Sequence, residues 1–286
     1  MLRQQVYTDG AVRRATRRRL LRWYARSGRA LPWRRTRDPY AILVSEVMLQ
    51  QTQVARVIPA YASFLERFPT LAALGRASLG EVLRAWSGLG YNRRAQHLHR
   101  TARLAAAGLP RDVTPLDALP GVGAYTAAAV ACFAHGARVA FADTNVRRVL
   151  GRVALGRVAS EREAVAIDQE LMPRDAASWH HALMDLGATV CVARAPHCGD
   201  CPLRAGCLGR DAVARAARRR TTAPHDSFAT SDRRVRGRII ALLREGDRSA
   251  ASLRRTVADA RVERLTSTLM REGLVERHGA RLGLPA

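Results

Sequence analysis

Four of the five cysteines lie within one 17-residue stretch, at the spacing Cys191-x6-Cys198-x2-Cys201-x5-Cys207. Because the loops between them are too short for much independent structure, four thiolates at this spacing can surround one metal centre. Thiolate sulfur selects zinc or an iron–sulfur cluster, and the spacing by itself leaves both possibilities open. The clustering is not typical of the disulfide framework of a secreted protein. The fifth cysteine, Cys132, lies among small apolar residues and is expected in the core.

The apolar residues between about Ala11 and Cys207 recur at helical spacing. Two such sets are Val47, Val54, Val57 and Ile58, and Leu79, Val82, Leu83 and Trp86. Long alternating patterns, which would indicate strands, are absent from this part of the sequence, so we expect it to be almost entirely α-helical. No apolar run reaches the ~18 residues of a membrane span, and the first residues lack the apolar stretch of a secretory signal.

The pattern changes after Cys207. Residues 209–231 lack a sustained apolar face and are predicted to form a basic linker. The apolar positions that follow predict three helices, at 235–243, 253–257 and 262–269. Residues 273–282 then have the pattern of a short hairpin. Three helices and a hairpin within 232–286 favour a winged-helix-like module, although other small helical modules share this pattern.

All 48 basic residues are arginines, and together with 24 acidic residues they give a formal net charge of +24. This excess of positive charge indicates a polyanionic partner, most simply nucleic acid. An anionic membrane is the other candidate, but no segment has the apolar face of an interfacial anchor. Because the chain contains no lysine, a mechanism that needs a lysine Schiff base is excluded.

The segment 119–123 contains Gly121 and Gly123 on either side of Val122, immediately before a helical pattern that begins at Ala124. Glycine permits a tight reversal of the chain, and it leaves backbone N–H groups bare where the next helix begins. Such N–H groups bind phosphate oxygens. The segment is therefore either a plain turn between helices or, as the net charge favours, a clamp on a DNA backbone.

Two carboxyl groups lie in positions that suit acid–base chemistry. Glu46, among the apolar residues of 41–49, lies either on the solvent face of a helix or in a partly desolvated site, where its protonated form is favoured. Asp143 is placed as the N-cap of a helix, where the ionised form is favoured. One protonated and one ionised carboxyl group are what acid-assisted cleavage of a glycosidic bond requires.

Several motifs occur together in one order. They are Leu31-Pro32-Trp33-Arg34, Ser45-Glu46-Val47-Met48-Leu49-Gln50-Gln51-Thr52, Gly88-Leu89-Gly90-Tyr91, the 119–123 segment, Asp143 and the four-cysteine loop. Because these independent motifs agree in order and spacing, residues 15–208 closely resemble the adenine DNA glycosylases, the MutY family of the helix-hairpin-helix glycosylase superfamily.

The resemblance implies an all-α, two-lobed fold in which DNA lies in the cleft between a six-helix barrel and a [4Fe–4S] lobe. The chain then divides into an N-terminal helix that packs on the iron–sulfur lobe (1–30), the barrel with its helix-hairpin-helix (31–142), the iron–sulfur lobe (143–208), the linker (209–231) and the winged-helix-like module (232–286). The implied activity is removal of adenine mispaired with 8-oxoguanine or guanine in double-stranded DNA, after the adenine is flipped out of the duplex.

The resemblance also implies catalytic roles. Glu46 matches the general acid that protonates adenine N7 and later helps to activate the attacking nucleophile. Asp143 matches the carboxylate that stabilises the oxocarbenium-like sugar, and Tyr125 matches the tyrosine or serine found where lyase-competent relatives carry lysine. The cluster ligands are matched by Cys191, Cys198, Cys201 and Cys207.

Binding positions follow from the same comparison. The residues matched around the flipped base are Arg29, Trp33, Arg34 and Leu49, with His181 standing where family members often have Glu or Gln. Gln51 and Tyr91 match residues that wedge into the base stack near the opposite base. Gly121, Val122 and Gly123 form the DNA-binding hairpin.

The C-terminal part departs from the family pattern. Only 79 residues follow Cys207, too few for the Nudix-like domain that helps typical members to recognise 8-oxoguanine. Recognition of the oxidised base then rests on Gln51, Tyr91 and the short basic tail, or it is weaker than usual. We also expect the tail to add nonspecific phosphate contacts.

Endonuclease III-like relatives cleave the DNA backbone with a lysine amine, so the absence of lysine predicts a monofunctional glycosylase. Two other functions stay open. One is a thymine or uracil mismatch glycosylase of the same superfamily, against which Glu46 argues. The other is a non-catalytic iron–sulfur DNA-binding regulator, in which Glu46, Tyr125 and Asp143 would be idle. We expect a monomer that binds DNA and no membrane, associated with the nucleoid in the cytoplasm.

Overall fold

A computed structural model describes residues 9–210 and 228–286. The helices of these ranges are α1 Gly10–Ser27, α2 Pro39–Leu49, α3 Val54–Arg67, α4 Leu71–Arg76, α5 Leu79–Ala85, α6 Arg93–Leu104, α7 Val113–Asp117, α8 Ala124–His135, α9 Thr144–Leu155, α10 Glu161–Leu171, α11 Ala176–Thr189, α12 Asp232–Glu245, α13 Ala250–Val257 and α14 Val262–Arg271. Two short strands, β1 Glu276–His278 and β2 Arg281–Gly283, pair antiparallel with Arg277 opposite Leu282. The predominantly helical prediction is therefore confirmed.

The described residues form two compact units. The first contains residues 9–42, 111–117 and 122–210, and the second contains residues 43–110, 118–121 and 228–286. The domain division proposed from the sequence stays a prediction, and its linker, 209–231, lies mostly outside the described residues. No helix within the described ranges is both long enough and apolar enough to cross a bilayer.

Local sequence signals determine where several helices begin. At α5, the Ser78 side chain accepts a hydrogen bond from the backbone N–H of Glu81, whose carboxylate accepts one from the backbone N–H of Ser78. Ser160 and Glu163 form the same reciprocal pair at α10. Each pair satisfies two N–H groups that the start of a helix leaves unpaired. These boundaries follow from residues only three positions apart.

The core of the first unit is formed by apolar side chains of α1, α8, α9, α10 and α11. Leu20, Leu150 and Trp179 are almost completely buried in it. Cys132 is also fully buried, as predicted. Helix α1 packs on α10 and α11, and Arg17 donates from Nε to the carbonyl oxygen of Leu171 at 2.6 Å.

The second unit combines α3–α6 with the C-terminal module, which consists of α12–α14 and the hairpin. The module is joined to α5 and α6 by direct hydrogen bonds. The backbone N–H of Gly80 donates to the carbonyl oxygen of Pro285 at 2.8 Å, and Gln96 Nε2 donates to the carbonyl oxygen of Glu272 at 2.8 Å. The three helices and the hairpin match the elements predicted for 232–286, and these bonds fix them to the same unit as α3–α6.

Candidate functional site

Glu46 lies on α2 and is only 8% exposed. Its neighbours Ser45 and Val47 are buried as well. The helix therefore does not present this carboxyl group on an open solvent face, which excludes one of the two interpretations of its sequence environment. The Glu46 carboxyl group is thus largely shielded from bulk water.

Asp143 is the N-cap of α9, as the sequence predicts. Its Oδ1 accepts from the backbone N–H of Val146 at 2.7 Å, and its Oδ2 accepts from Asn145 Nδ2 at 2.8 Å. The positive end of a helix dipole stabilises negative charge. Both oxygens thus have donors that suit a carboxylate, and the group is held in one orientation.

A buried polar network fixes the segment that leads to Asp143. The fully buried Asp168 accepts from the backbone N–H of Phe141 at 3.3 Å and lies 2.7 Å from His180 Nε2. The Phe141 ring stacks on His180 with ring centres 3.9 Å apart. The Phe141 and Tyr125 rings lie edge to face, with their ring centres 5.5 Å apart. These contacts hold Tyr125 against the chain segment that leads to Asp143. The sequence pattern did not identify Asp168 as part of this cluster.

Two of the predicted base-pocket arginines share one carboxylate partner, Asp185 of α11. Arg34 forms two hydrogen bonds with it, and Arg29 donates to it from Nε at 2.7 Å and from its backbone N–H at 2.8 Å. Burial opposes ionisation of Asp185, but these bonds outweigh burial and lower its pKa. The loop between Arg29 and Arg34, which contains the buried Trp33, is thereby fixed on α11.

His181 is held as a neutral imidazole. Its ring stacks on Phe133 with centres 4.3 Å apart. Burial, reinforced by repulsion from Arg34, lowers the pKa of His181 to about 3. At neutral pH the ring therefore offers one donor and one acceptor nitrogen rather than a positive charge.

The 119–123 segment forms a tight reversal of the chain and leads directly into α8, whose N-terminus has no side-chain cap. Gly121 has a φ of +72°, and a Cβ at this position would lie 2.5 Å from the Cβ of His97. Gly123 is the N-cap of α8 and supplies no side-chain cap. Gly123 and Ala124 are exposed, whereas Val122 is buried. The first N–H groups of α8 are thus accessible to an anion.

Arg94 connects the end of α2 to two loops of the second unit. Its guanidinium group donates to the carbonyl oxygens of Val47, Gln50 and Gly90, at 2.8, 2.5 and 3.3 Å. Burial lowers the pKa of Arg94 to about 10, so it stays charged at neutral pH. Nothing in the sequence pattern distinguished Arg94 from the other arginines.

The two predicted wedge residues flank these carbonyl groups. Gln51 and Tyr91 have φ values of 56° and 47°, in the left-handed region that side chains other than glycine rarely adopt. Backbone strain of this kind persists only where the surrounding contacts fix it, and it is concentrated at functional sites. Arg94 supplies those contacts here, and Leu49 ends α2 just before this turn.

All four clustered cysteines line one cavity of the first unit, beside α9 and α11. Arg152 Nη1 lies 3.4 Å from Cys191 Sγ and donates to the carbonyl oxygen of Val192 at 2.8 Å, and Arg148 Nε donates to the carbonyl oxygen of Cys191 at 2.7 Å. Within the described ranges, no three His, Cys, Asp or Glu side chains form a group that could hold a metal ion. The four cysteines therefore share one cavity.

The predicted residues thus fall into two groups. The first unit contains Arg29, Trp33, Arg34, Val122, Gly123, Tyr125, Asp143, His181 and the four cysteines, and the second contains Glu46, Leu49, Gln51, Tyr91 and Gly121. Sequence reasoning missed the residues that orient them. The complete burial of Asp168 and Asp185 distinguishes them from other acidic residues. Arg94 is distinguished by its hydrogen bonds to backbone carbonyl groups.

Residues 44–174 match the model of a family described as HhH-GPD superfamily base excision DNA repair protein. The chain is 44% identical over 277 residues to the adenine DNA glycosylase of Mycolicibacterium smegmatis, a match that covers 90% of this chain and 92% of that protein. It is 42% identical over 227 residues to the adenine DNA glycosylase of Homo sapiens, covering 73% of this chain and 42% of that protein. Residues 1–231 make up about four fifths of the chain, whereas the first match covers 90% of it. That match therefore extends into the C-terminal module.

Solved structures show the same fold. A thermostable thymine-DNA glycosylase is similar at a TM-score of 0.62 and 28% identity, over 70% of this chain and 97% of that chain. A non-covalent endonuclease III–DNA complex is similar at a TM-score of 0.62 and 25% identity, over 71% of this chain and 96% of that chain.

Proposed function

Because the chain belongs to the adenine DNA glycosylase family of the helix-hairpin-helix superfamily, we propose that it removes adenine mispaired with 8-oxoguanine or guanine in double-stranded DNA. The observation that carries this proposal is the burial of Glu46 on α2. A carboxyl group shielded from water in this motif is suited to give a proton to a base.

The proposed reaction begins with the adenine flipped out of the duplex. Glu46 donates a proton to adenine N7, which makes the base a better leaving group. The bond between C1′ and N9 then breaks, and the electron pair leaves with adenine. Asp143, the N-cap of α9, stabilises the positive charge on the sugar. Glu46 takes a proton from a water molecule that adds to C1′, and the products are free adenine and an abasic site.

The flipped base is bound by a pocket with one neutral imidazole. Stacked on Phe133 and uncharged, His181 can exchange hydrogen bonds with adenine in place of a carboxamide or carboxylate. Arg29 and Arg34, oriented by Asp185, hold the loop that carries Trp33 beside the base. By the family resemblance, Leu49 is also assigned to the residues around the flipped base.

The DNA backbone is bound by the 119–123 hairpin, and the duplex is opened by two strained residues. The accessible N–H groups at the start of α8 bind a phosphate. Gln51 and Tyr91 wedge into the base stack. The net charge of +24 supports a DNA partner, and the protein acts on it as a monomer at the nucleoid.

The enzyme is monofunctional. Cleavage of the sugar–phosphate backbone by the related lyases needs an amine that forms a Schiff base with C1′. This chain has no lysine to supply that amine. By the family resemblance, Tyr125 stands at the position where those relatives carry the lysine.

The four cysteines hold a [4Fe–4S] cluster. All four line one cavity, which supports a single shared centre. Thiolate sulfur suits an iron–sulfur cluster, and the family resemblance favours [4Fe–4S] over zinc. When bound, the cluster supplies structural support, because it links residues on both sides of a loop that Arg148 and Arg152 anchor.

The test is single-turnover release of adenine from duplexes that pair adenine with 8-oxoguanine, guanine or thymine. A Glu46→Gln variant should lose activity by about 10²-fold or more, the contribution of a general acid, while it keeps DNA binding. The matched control is Glu66→Gln on α3, which makes the same change at an exposed position and should leave the rate unchanged.

Other outcomes would decide against the proposal. A duplex with a thymine–guanine pair is assayed alongside, and release of thymine from it without release of adenine would favour the mismatch glycosylase. DNA binding without release of any base would favour the regulator. Strand breaks before alkali treatment would contradict monofunctional activity, and stoichiometric zinc without iron would contradict the cluster.

A further inference from the structure

A groove of about 820 Å³ lies in the second unit, next to both predicted wedge residues. Its walls come from two parts of the chain that are far apart in sequence. Residues 51–53 and 88–94 provide one set of lining residues. The other set includes Arg233 and Arg236 of the C-terminal module and Phe228, which lies just before the module. None of the described residues that line the groove is acidic.

Three arginines of this groove have guanidinium groups without a hydrogen bond or an ion pair among the described residues. Arg56, Arg93 and Arg233 are exposed, and their side chains form neither a hydrogen bond nor an ion pair with any residue of the described ranges. By contrast, Arg236 is paired with Glu272 at 2.5 Å, and Arg94 is bonded to backbone carbonyl groups. Free guanidinium groups on a wall without acids are suited to bind phosphate oxygens.

The groove also offers groups that suit a nucleobase. Phe228 is 61% exposed, which is unusual for a large apolar side chain and provides a surface on which a base can stack. The exposed Gln51 can form hydrogen bonds with the edge of a base. An acidic peptide would use the arginines but would leave the exposed ring and the amide without a role. The combined chemistry favours a nucleotide.

Arg233 links the module to Tyr91. Its guanidinium carbon lies 4.5 Å from the centre of the Tyr91 ring, within the range of a favourable cation–π contact. Because Tyr91 has a strained, left-handed backbone, a contact on its ring helps to hold the loop in this conformation. Arg233 can thus position Tyr91 and still present N–H groups to DNA.

We propose that this groove binds a nucleotide of the DNA strand opposite the excised adenine, with Arg233 of the C-terminal module and Phe228, just before the module, as specificity-determining residues. Gln51 and Tyr91 line the groove. Because the proposed function has these two residues wedge into the base stack near the opposite base, we assign the groove to that strand. Arg233 binds a phosphate and supports Tyr91, and Phe228 stacks on a base. This inference rests on the proposed function, since it assigns the groove to the same duplex.

The experiment measures DNA affinity by fluorescence anisotropy at several salt concentrations, with Glu46→Gln present in every protein so that the duplex stays intact. The probes are duplexes that pair adenine with 8-oxoguanine or with thymine. Arg233→Gln should lower the slope of log affinity against log salt by about 0.9, the value for one lost phosphate contact. Phe228→Ala should weaken binding of the 8-oxoguanine duplex about fivefold or more, without changing the slope.

Arg255→Gln is the matched control. Arg255 is an exposed arginine of the same module that does not line the groove and has no partner among the described residues. If the module only adds nonspecific charge, Arg233→Gln and Arg255→Gln will lower the slope equally, which would overturn the proposal. Equal thermal unfolding of both variants and their parent shows that neither substitution acts through misfolding.

The two levels of inference fail separately. If the protein with Glu46 intact releases adenine but Arg233→Gln behaves like Arg255→Gln, the groove assignment is wrong and the proposed function stands. If that protein releases no adenine but Arg233→Gln alone lowers the salt slope, the groove is a DNA site and the proposed glycosylase function is wrong.

Discussion

Arg34 and Asp185 form two parallel hydrogen bonds, of 2.7 Å from Nη1 and 2.8 Å from Nη2, although they are 151 residues apart in the chain. The Asp185 side chain is fully buried, and only 9% of the Arg34 side chain is exposed. Pairs of this planar geometry are strong and directional. This contact fixes the loop that carries Trp33 to α11, so the shape of the proposed base pocket depends on it.

Replacing Asp185 with Asn should lower the free energy of unfolding by ~3–5 kcal/mol, because removing one charge of a buried pair leaves the other without compensation. Urea unfolding followed by circular dichroism measures this change. Glu170→Gln is the control, since the pair between Glu170 and Arg13 is substantially exposed and should contribute ~0–1 kcal/mol. Equal effects of the two substitutions would show that Asp185 is not the anchor.

The depressed pKa of His181 predicts a pH-dependent loss of stability. The imidazole titrates near pH 6.5 in the unfolded chain but at about 3 in the folded protein, so the unfolded state binds the proton first as the pH falls. Stability should therefore decrease from pH 6.5 downward, by on the order of 1–2 kcal/mol at pH 5. His181→Gln should remove this component, as the difference between urea unfolding at pH 7 and pH 5 will show. An unchanged pH dependence in His181→Gln would mean that the pKa of His181 is the same in the folded and unfolded states.

Gln51→Gly should separate stability from function. Glycine adopts the left-handed backbone of Gln51 without steric strain, so the free energy of unfolding should stay equal or rise by up to ~1 kcal/mol. Adenine release should slow, because the wedge side chain is lost. Valine is β-branched and is strained at a positive φ, so Gln51→Val should lower the free energy of unfolding. A destabilised Gln51→Gly protein would show that side-chain contacts outweigh the backbone strain.

The two hairpin glycines should respond differently to alanine. Gly121→Ala places a Cβ 2.5 Å from the Cβ of His97 at a φ of +72° and should cost ~1–3 kcal/mol of stability. Gly123→Ala has an ordinary φ and no atom within 4 Å of the new Cβ. It should therefore cost less, ~0.5–1 kcal/mol, because alanine is a poorer N-cap than glycine. If phosphate approaches this backbone closely, Gly123→Ala should nevertheless weaken DNA binding. Unchanged binding would count against the hairpin as a phosphate clamp.

Much of the local structure could be predicted from the sequence. The N-cap at Asp143 depends on a hydrogen bond to a backbone group three residues away, and the helices of 232–286 follow from apolar spacing. The burial of Glu46 could not be predicted, because both faces of α2 carry apolar residues and periodicity does not show which one is covered.

The sequence by itself determined the helical class, the helix starts, the four-cysteine loop and the absence of a lysine amine. Each depends on composition or on interactions within a few residues, which the chain carries into any fold. Only the tertiary structure decided that Asp185 binds Arg29 and Arg34, that Arg94 fixes the loops of Gln51 and Tyr91, and that Arg233 lies over Tyr91. These contacts join residues that are distant in sequence, and among 48 arginines only packing selects the few that become buried or meet a specific partner.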